Sequence, residues 1–188
     1  MTKAYIKFNK PLPLVDYLLP LIGDKKEVKI VDVGSGPFSM IGSYLPGIKV
    51  EIYHCDKQDF SEYWGKRQLT SVISVEQQNM EKLTYPDGFF DIVHCLNALD
   101  HTKNAKESVK EMIRVCKVGG WVYINCALDQ LSTGYLHHWN AKQDGIFTNN
   151  TETFDLKDFG FQIQFINNGG ESRYNQIICT LQKKELDK

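Results

Sequence analysis

The chain switches between two hydrophobic periods, and the switches mark out its elements. In LPLVDYLLPLI, residues 12–22, apolar side chains recur at helical spacing and Gly23 follows, which predicts a short helix whose last turn Pro20 ends or kinks. KEVKIVDVG (26–34) is a nearly continuous apolar run through Val28, Ile30, Val31 and Val33, the pattern of a strand covered on both faces. A helix over 38–45 follows. KVEIYHCD (49–56), SVISVE (71–76) and FFDIVHCLNA (89–98) predict three further strands, and 60–67 fits neither period cleanly. The most regular helix comes next. Val109, Met112, Ile113 and Cys116 share one face, Asn104 and Glu107 have capping-box spacing, and Gly119-Gly120 supplies the stop. GWVYINCAL (120–128) is a fifth strand, 129–153 is polar, aromatic and irregular, and a short helix around 154–159 ends at Gly160. FQIQFIN and YNQIICTLQ alternate around NNGGES as an antiparallel hairpin.

Strands alternating with helices predict an α/β fold with a doubly wound, mostly parallel sheet. The 188 residues fit one domain, with 1–27 as N-terminal helix and lead-in and 129–153 as a substrate loop. A net charge of −1 gives no reason to expect nucleic acid or an anionic membrane as partner. The five cysteines, at 55, 95, 116, 126 and 179, make no C-x-x-C pair, so reduced thiols in a cytoplasmic protein are expected and a metal site is not. MTKAYIKFNK is too polar for a signal peptide, and no apolar run reaches bilayer length.

Candidate chemistry gathers where predicted strands end, the place where such sheets bind ligands. Gly34 and Gly36 follow the first strand; glycine allows positive φ and lets a ligand approach the backbone. Asp56 ends the second strand, and its two oxygens match the vicinal hydroxyls of a ribose. Asn79 and Met80 follow the third, where an amide can meet an adenine edge and a thioether can pack on its ring. Diol acceptor, glycine turn and adenine clamp stand in the order an adenosine requires.

With these residues the chain resembles the class I S-adenosylmethionine-dependent methyltransferases, most of all the small single-domain members that methylate metabolites. The resemblance rests on VDVGSGP (31–37), Asp56, NMEKLTYPDGFFDIVHCLNALDH (79–101), ESVKEMIRVCKVGGWVYI (107–124) and the closing hairpin. It implies a Rossmann-like sheet of about seven strands with a C-terminal antiparallel hairpin, and S-adenosylmethionine as cofactor. It further implies that Asp32, Gly34, Ser35 and Gly36 hold the methionine portion and approach the ribose. Asp56 would then bind the ribose, Asn79 and Met80 frame the adenine, and Cys95, Leu96 and Asn97 line the floor near the sulfonium. Phe38 stands where the family often has a third glycine, and Asn79 where many members have aspartate.

Methyl transfer needs alignment, dryness and, for some acceptors, a base. His101, His137 and His138 are the base candidates because histidine titrates near neutrality; His101 falls beside the expected methyl, where a loop-holding role competes with a catalytic one. Tyr135, His137, His138 and Trp139 in YLHHWN are read as substrate contacts, against the alternative that the aromatics only anchor a loop. The acceptor is expected to be a small molecule, in a rather open site or one closed by a homodimer. A nicotinamide-dependent oxidoreductase is the rival reading, but its G-x-G-x-x-G would need glycine at Ser39. A non-catalytic methyltransferase-like binding domain is the other.

Overall fold

The computed structural model describes residues 12–37, 41–60, 75–128, 137–167 and 175–185. Ten strands are described: β1 (Glu27–Val33), β2 (Lys49–Asp56), β3 (Val75–Gln77), β4 (Phe90–Leu96), β5 (Cys116–Ala127), β6 (Asn140–Ala141), β7 (Ile146–Thr148), β8 (Thr153–Asp155), β9 (Gln162–Ile166) and β10 (Gln176–Gln182). Two α-helices accompany them, α1 (Leu19–Ile22) and α2 (Ala105–Val115), with 3-10 turns at Asp16–Leu18, Leu99–His101 and Leu156–Phe159.

Seven strands form one sheet in the order β3-β2-β1-β4-β5-β10-β9. β1 runs parallel to β2 and β4, β2 to β3 and β4 to β5, whereas β10 is antiparallel to both β5 and β9. The apolar run of β1 serves both faces, as expected. Val31 and Val33 join one core with Val109, Met112 and Val115 of α2, while Val28 and Ile30 join another with Leu14, Leu18 and Ile22 of the N-terminal segment. α2 begins as its capping signal predicts: the Asn104 side chain accepts the Glu107 N–H at 3.1 Å. No helix among the described residues is long and apolar enough to cross a membrane.

Four expectations change. Pro20 lies in the first turn of α1, where its missing N–H is not needed, and it does not break the last turn. The predicted 38–45 helix is absent over 41–45, and 38–40 lie outside the described residues. There the amides of Ser43 and Tyr44 donate to Leu12 O (2.9 and 3.0 Å), so their hydrogen bonds leave the segment instead of closing a helix. α2 ends at Val115, four residues before Gly119, because Cys116 already pairs with Phe90 in the sheet. Gly119-Gly120 instead occupy the bulge between the Phe90–Cys116 and Ile92–Trp121 pairs, and both bond to the Lys183 backbone. Finally, the segment read as irregular contains the small antiparallel sheet β6-β7-β8, whose Phe147 and Phe154 reach the main core.

Candidate functional site

β1 and β4 are neighbours whose chains continue to opposite sides of the sheet, so a crevice opens beyond their carboxyl ends. The bend after β1 is fixed by β2: the amides of Gly34 and Ser35 donate to Cys55 O at 2.8 and 3.2 Å. Gly34 has φ +72° and Gly36 +64°. A Cβ on Gly34 would lie 2.4 Å from Ala98 Cβ and 3.1 Å from the Met80 methyl, whereas one on Gly36 would meet nothing within 4 Å. Gly34 is thus wedged between the ends of β3 and β4, and Gly36 borders open space.

Asp56 stands against this bend. Its Oδ2 accepts the Gly36 N–H at 3.0 Å and its Oδ1 accepts the Gln58 N–H at 2.9 Å. The exposed Asn79 side chain accepts the Glu81 N–H at 3.1 Å, which turns the chain so that Met80 packs inward. Asp56, Gly34, Ser35, Gly36, Asn79 and Met80 are therefore brought to one end of the sheet. Leu96 ends β4 at the same place and Asn97 follows it. Asn97 is the one non-glycine residue with positive φ among the described residues, and its side chain accepts the Ala127 N–H at 2.9 Å. Cys95, by contrast, is fully buried inside the core, where burial and the Asp32 and Asp100 carboxylates push its thiol up.

Asp32 is also buried, on the other sheet face from Val31 and Val33. Its carboxylate meets His94 Nδ1 at 2.7 Å, and His94 Nε2 meets the Tyr17 hydroxyl at 3.1 Å. Tyr17, His94 and Tyr123 stack with centroids 5.0–5.9 Å apart. Burial lowers the pKa of neighbouring His54, with Asp32 opposing. Sequence reading did not select His54, His94 or Tyr17; their link to Asp32 comes from strand register and from the N-terminal segment folding over it.

The histidine candidates separate into roles. His137 Nδ1 lies 2.5 Å from Asp100 Oδ2, and its ring centroid is 4.3 Å from that of His101. His101 Nε2 is 3.9 Å from Asp100 Oδ1. Asp100 is buried, and that Oδ1 has no hydrogen-bond partner. Asp100 falls within the stretch 79–101 that carries the family resemblance but is not among the site residues the sequence points to. The contact is made because Asp100 O accepts the amides of His138 (2.8 Å) and Trp139 (3.1 Å), pinning the remote segment to the end of β4. Trp139 itself is fully buried against Phe154, the placement of a loop anchor and not of a surface clamp. Tyr135 lies outside the described residues. His137 and the exposed His138 line a cavity of about 470 Å³ with Lys103, Asn149, Asn150 and Thr151.

A family described as "Methyltransferase domain" matches residues 31–124. The chain is 28% identical over 131 residues to the sterol 24-C-methyltransferase ERG6A of Gibberella zeae, covering 65% of this chain and 34% of that protein. It is 30% identical over 111 residues to the ubiquinone/menaquinone biosynthesis C-methyltransferase UbiE of Shewanella oneidensis, covering 55% and 44%. The chain thus spans less than half the length of these relatives. Among solved structures, its fold is similar to the YcgJ protein of Bacillus subtilis (TM-score 0.57, 14% identity, 90% of this chain and 97% of that one). It is also similar to a SAM-dependent methyltransferase from Aquifex aeolicus (TM-score 0.52, 18% identity, 87% of each).

Proposed function

This chain belongs to the class I S-adenosylmethionine-dependent methyltransferases, and on that premise we propose that it transfers a methyl group to a small-molecule acceptor. The observation that carries the reading is the Asp56 carboxylate hydrogen-bonded to the Gly36 amide at the mouth of the β1–β4 crevice. The names of the relatives, which refer to sterol and to ubiquinone and menaquinone, support a small organic acceptor.

The residues fit the cofactor. Each Asp56 oxygen accepts one backbone N–H and retains lone-pair capacity for a hydroxyl, which suits a vicinal diol. The space above Gly36 lets a polar chain lie against the backbone. Met80 offers a polarizable wall and Asn79 an amide edge for a flat ring. Bound there, S-adenosylmethionine supplies an already activated methyl group. The chain then has to hold the acceptor in line and exclude water, tasks for the surfaces around His101, His137 and His138. Five free, buried cysteines suit a reducing, cytosolic setting.

Calorimetry with S-adenosylhomocysteine tests the reading. We expect saturable one-site binding, weakened at least ~100-fold by Asp56→Ala because two charge-assisted hydrogen bonds are lost. Asp56→Asn, which keeps one acceptor oxygen, should lose less, with the circular dichroism of both variants unchanged. Absence of binding to the wild type, or a thermal shift with NAD and none with S-adenosylhomocysteine, would overturn it.

A further inference from the structure

The carboxylate of Asp100 presents a problem that its protein partners do not solve. The residue is 3% exposed, yet Oδ1 has no hydrogen-bond partner, and two imidazoles flank it. A buried carboxyl oxygen left unsatisfied is costly, and a cation is one group that removes the cost. One donor atom from each of Asp100, His101 and His137 lies within 4.8 Å of the other two. We propose that these three residues bind one divalent transition-metal ion of the zinc class, at the edge of the cavity lined by His137 and His138.

The donor set favours that class. Two imidazoles and one carboxylate suit zinc, cobalt or iron, whereas magnesium and calcium prefer oxygen ligands. Metal–ligand bonds of roughly 2.0–2.2 Å at tetrahedral angles put donor atoms about 3.3 Å apart. Asp100 Oδ2 stands 2.5 Å from His137 Nδ1, Asp100 Oδ1 stands 3.9 Å from His101 Nε2, and one donor atom from each residue lies within 4.8 Å of the other two, so shifts of about 1–2 Å bring the three to that spacing. Each imidazole binds the ion through an unprotonated ring nitrogen, so any proton on the ligating nitrogen leaves to solvent on binding.

The scaffold is stiff where the site needs it. Asp100 and His101 share the Leu99–His101 turn, whose first neighbour, Ala98, abuts Gly34. His137 precedes the doubly bonded His138-Trp139 pair, and the Trp139 side chain is locked in the core. Three protein ligands leave further coordination positions, the pattern of a metal that also binds substrate. His137 lines the cavity beside them, so an acceptor oxygen entering there would meet the ion. The ion's role, though not its binding, rests on the methyltransferase reading. Spacing of cysteines could not reveal this site, because it uses none and draws ligands 37 residues apart.

The test is titration of the chelator-treated full chain with cobalt(II), followed by its visible d–d absorption, and then by zinc(II) competition. One equivalent should bind. His101→Ala and His137→Ala should each weaken binding by at least the ~10- to 100-fold seen even for outer-shell partners, and His138→Ala should leave it unchanged. Asp100→Asn should also abolish the signal; because it alters a buried site, its circular dichroism is compared first, and the histidine variants decide the matter if it fails to fold. No stoichiometric cobalt binding by the wild type, or wild-type binding by both His101→Ala and His137→Ala, overturns the proposal. S-adenosylhomocysteine calorimetry on the same samples separates the two readings: cofactor binding without cobalt removes only the metal site, and cobalt binding without cofactor removes only the methyltransferase.

Discussion

Gly34 is held from two sides, by its left-handed φ and by the Ala98 Cβ beneath it. Gly34→Ala therefore faces backbone strain of about 1–2 kcal/mol and overpacking of about 1–3 kcal/mol together. Gly36→Ala faces the backbone strain alone, since its Cβ would enter open space. Urea unfolding should rank Gly34→Ala well below Gly36→Ala, and equal midpoints would contradict the wedge. Gly36→Ala should instead weaken S-adenosylhomocysteine by occupying the space above the bend. At this scale the sequence was readable wherever a residue's place at a strand end determines its neighbours, as for Asp56 beside Gly36. It was not readable for Asp32, whose partner His94 follows from the register of two strands 62 residues apart. Nor did spacing distinguish Trp139, packed in the core, from His138 beside it on the surface.

Arg114 fastens α2 to the loop before β4. Its guanidinium donates to Leu83 O (2.8 Å), Tyr85 O (2.9 Å), Asp87 (2.6 Å) and both Glu111 oxygens (2.7 and 2.8 Å), while Glu111 accepts the Leu83 N–H at 2.8 Å. A lysine can keep the charge but not this planar fork. Arg114→Lys should cost on the order of 1.5–3 kcal/mol in urea unfolding, with an unchanged denaturant slope; a loss below about 0.5 kcal/mol, the level of an ordinary surface change, would show that the fork does not matter. Elements with long periodic patterns, β1, β2 and α2, were legible in the sequence. The misreadings share a cause: local signals were outbid by partners far along the chain. Cys116 joined the sheet before the glycine stop, and the amides after residue 41 turned to Leu12. Strands of two or three residues, such as β6, β7 and β8, are too short to display a period at all.

All five thiols lie inside the molecule, and burial, as the largest cause, raises each of them: Cys55, Cys116 and Cys179 to about 12, and Cys95 and Cys126 likewise upward. A raised folded-state pKa means that the native protein keeps protons that the unfolded chain gives up. Stability from this source is complete below the ordinary thiol value of about 9 and is lost as pH rises towards about 12. Urea midpoints should therefore fall on the alkaline side, and Ellman's reagent should find no fast thiol in the native protein and five in guanidinium. One rapidly reacting native thiol would contradict the burial. The mostly parallel seven-stranded sheet with its closing antiparallel hairpin was legible in outline because alternating strands and helices admit few topologies, whereas the strand order was not. The Asp100–His101–His137 cluster was not, because it depends on a return of the chain that no local pattern announces. That return is secured by one carbonyl, Asp100 O, receiving two consecutive amides. Beyond this rivet, the turn around Asn149–Thr151 is tied by the Asn149 side chain to the Thr151 and Glu152 amides, so exchanging Asn150 would reshape the cavity wall like a replaceable tile while the Asp100 carbonyl still fixes where the chain returns.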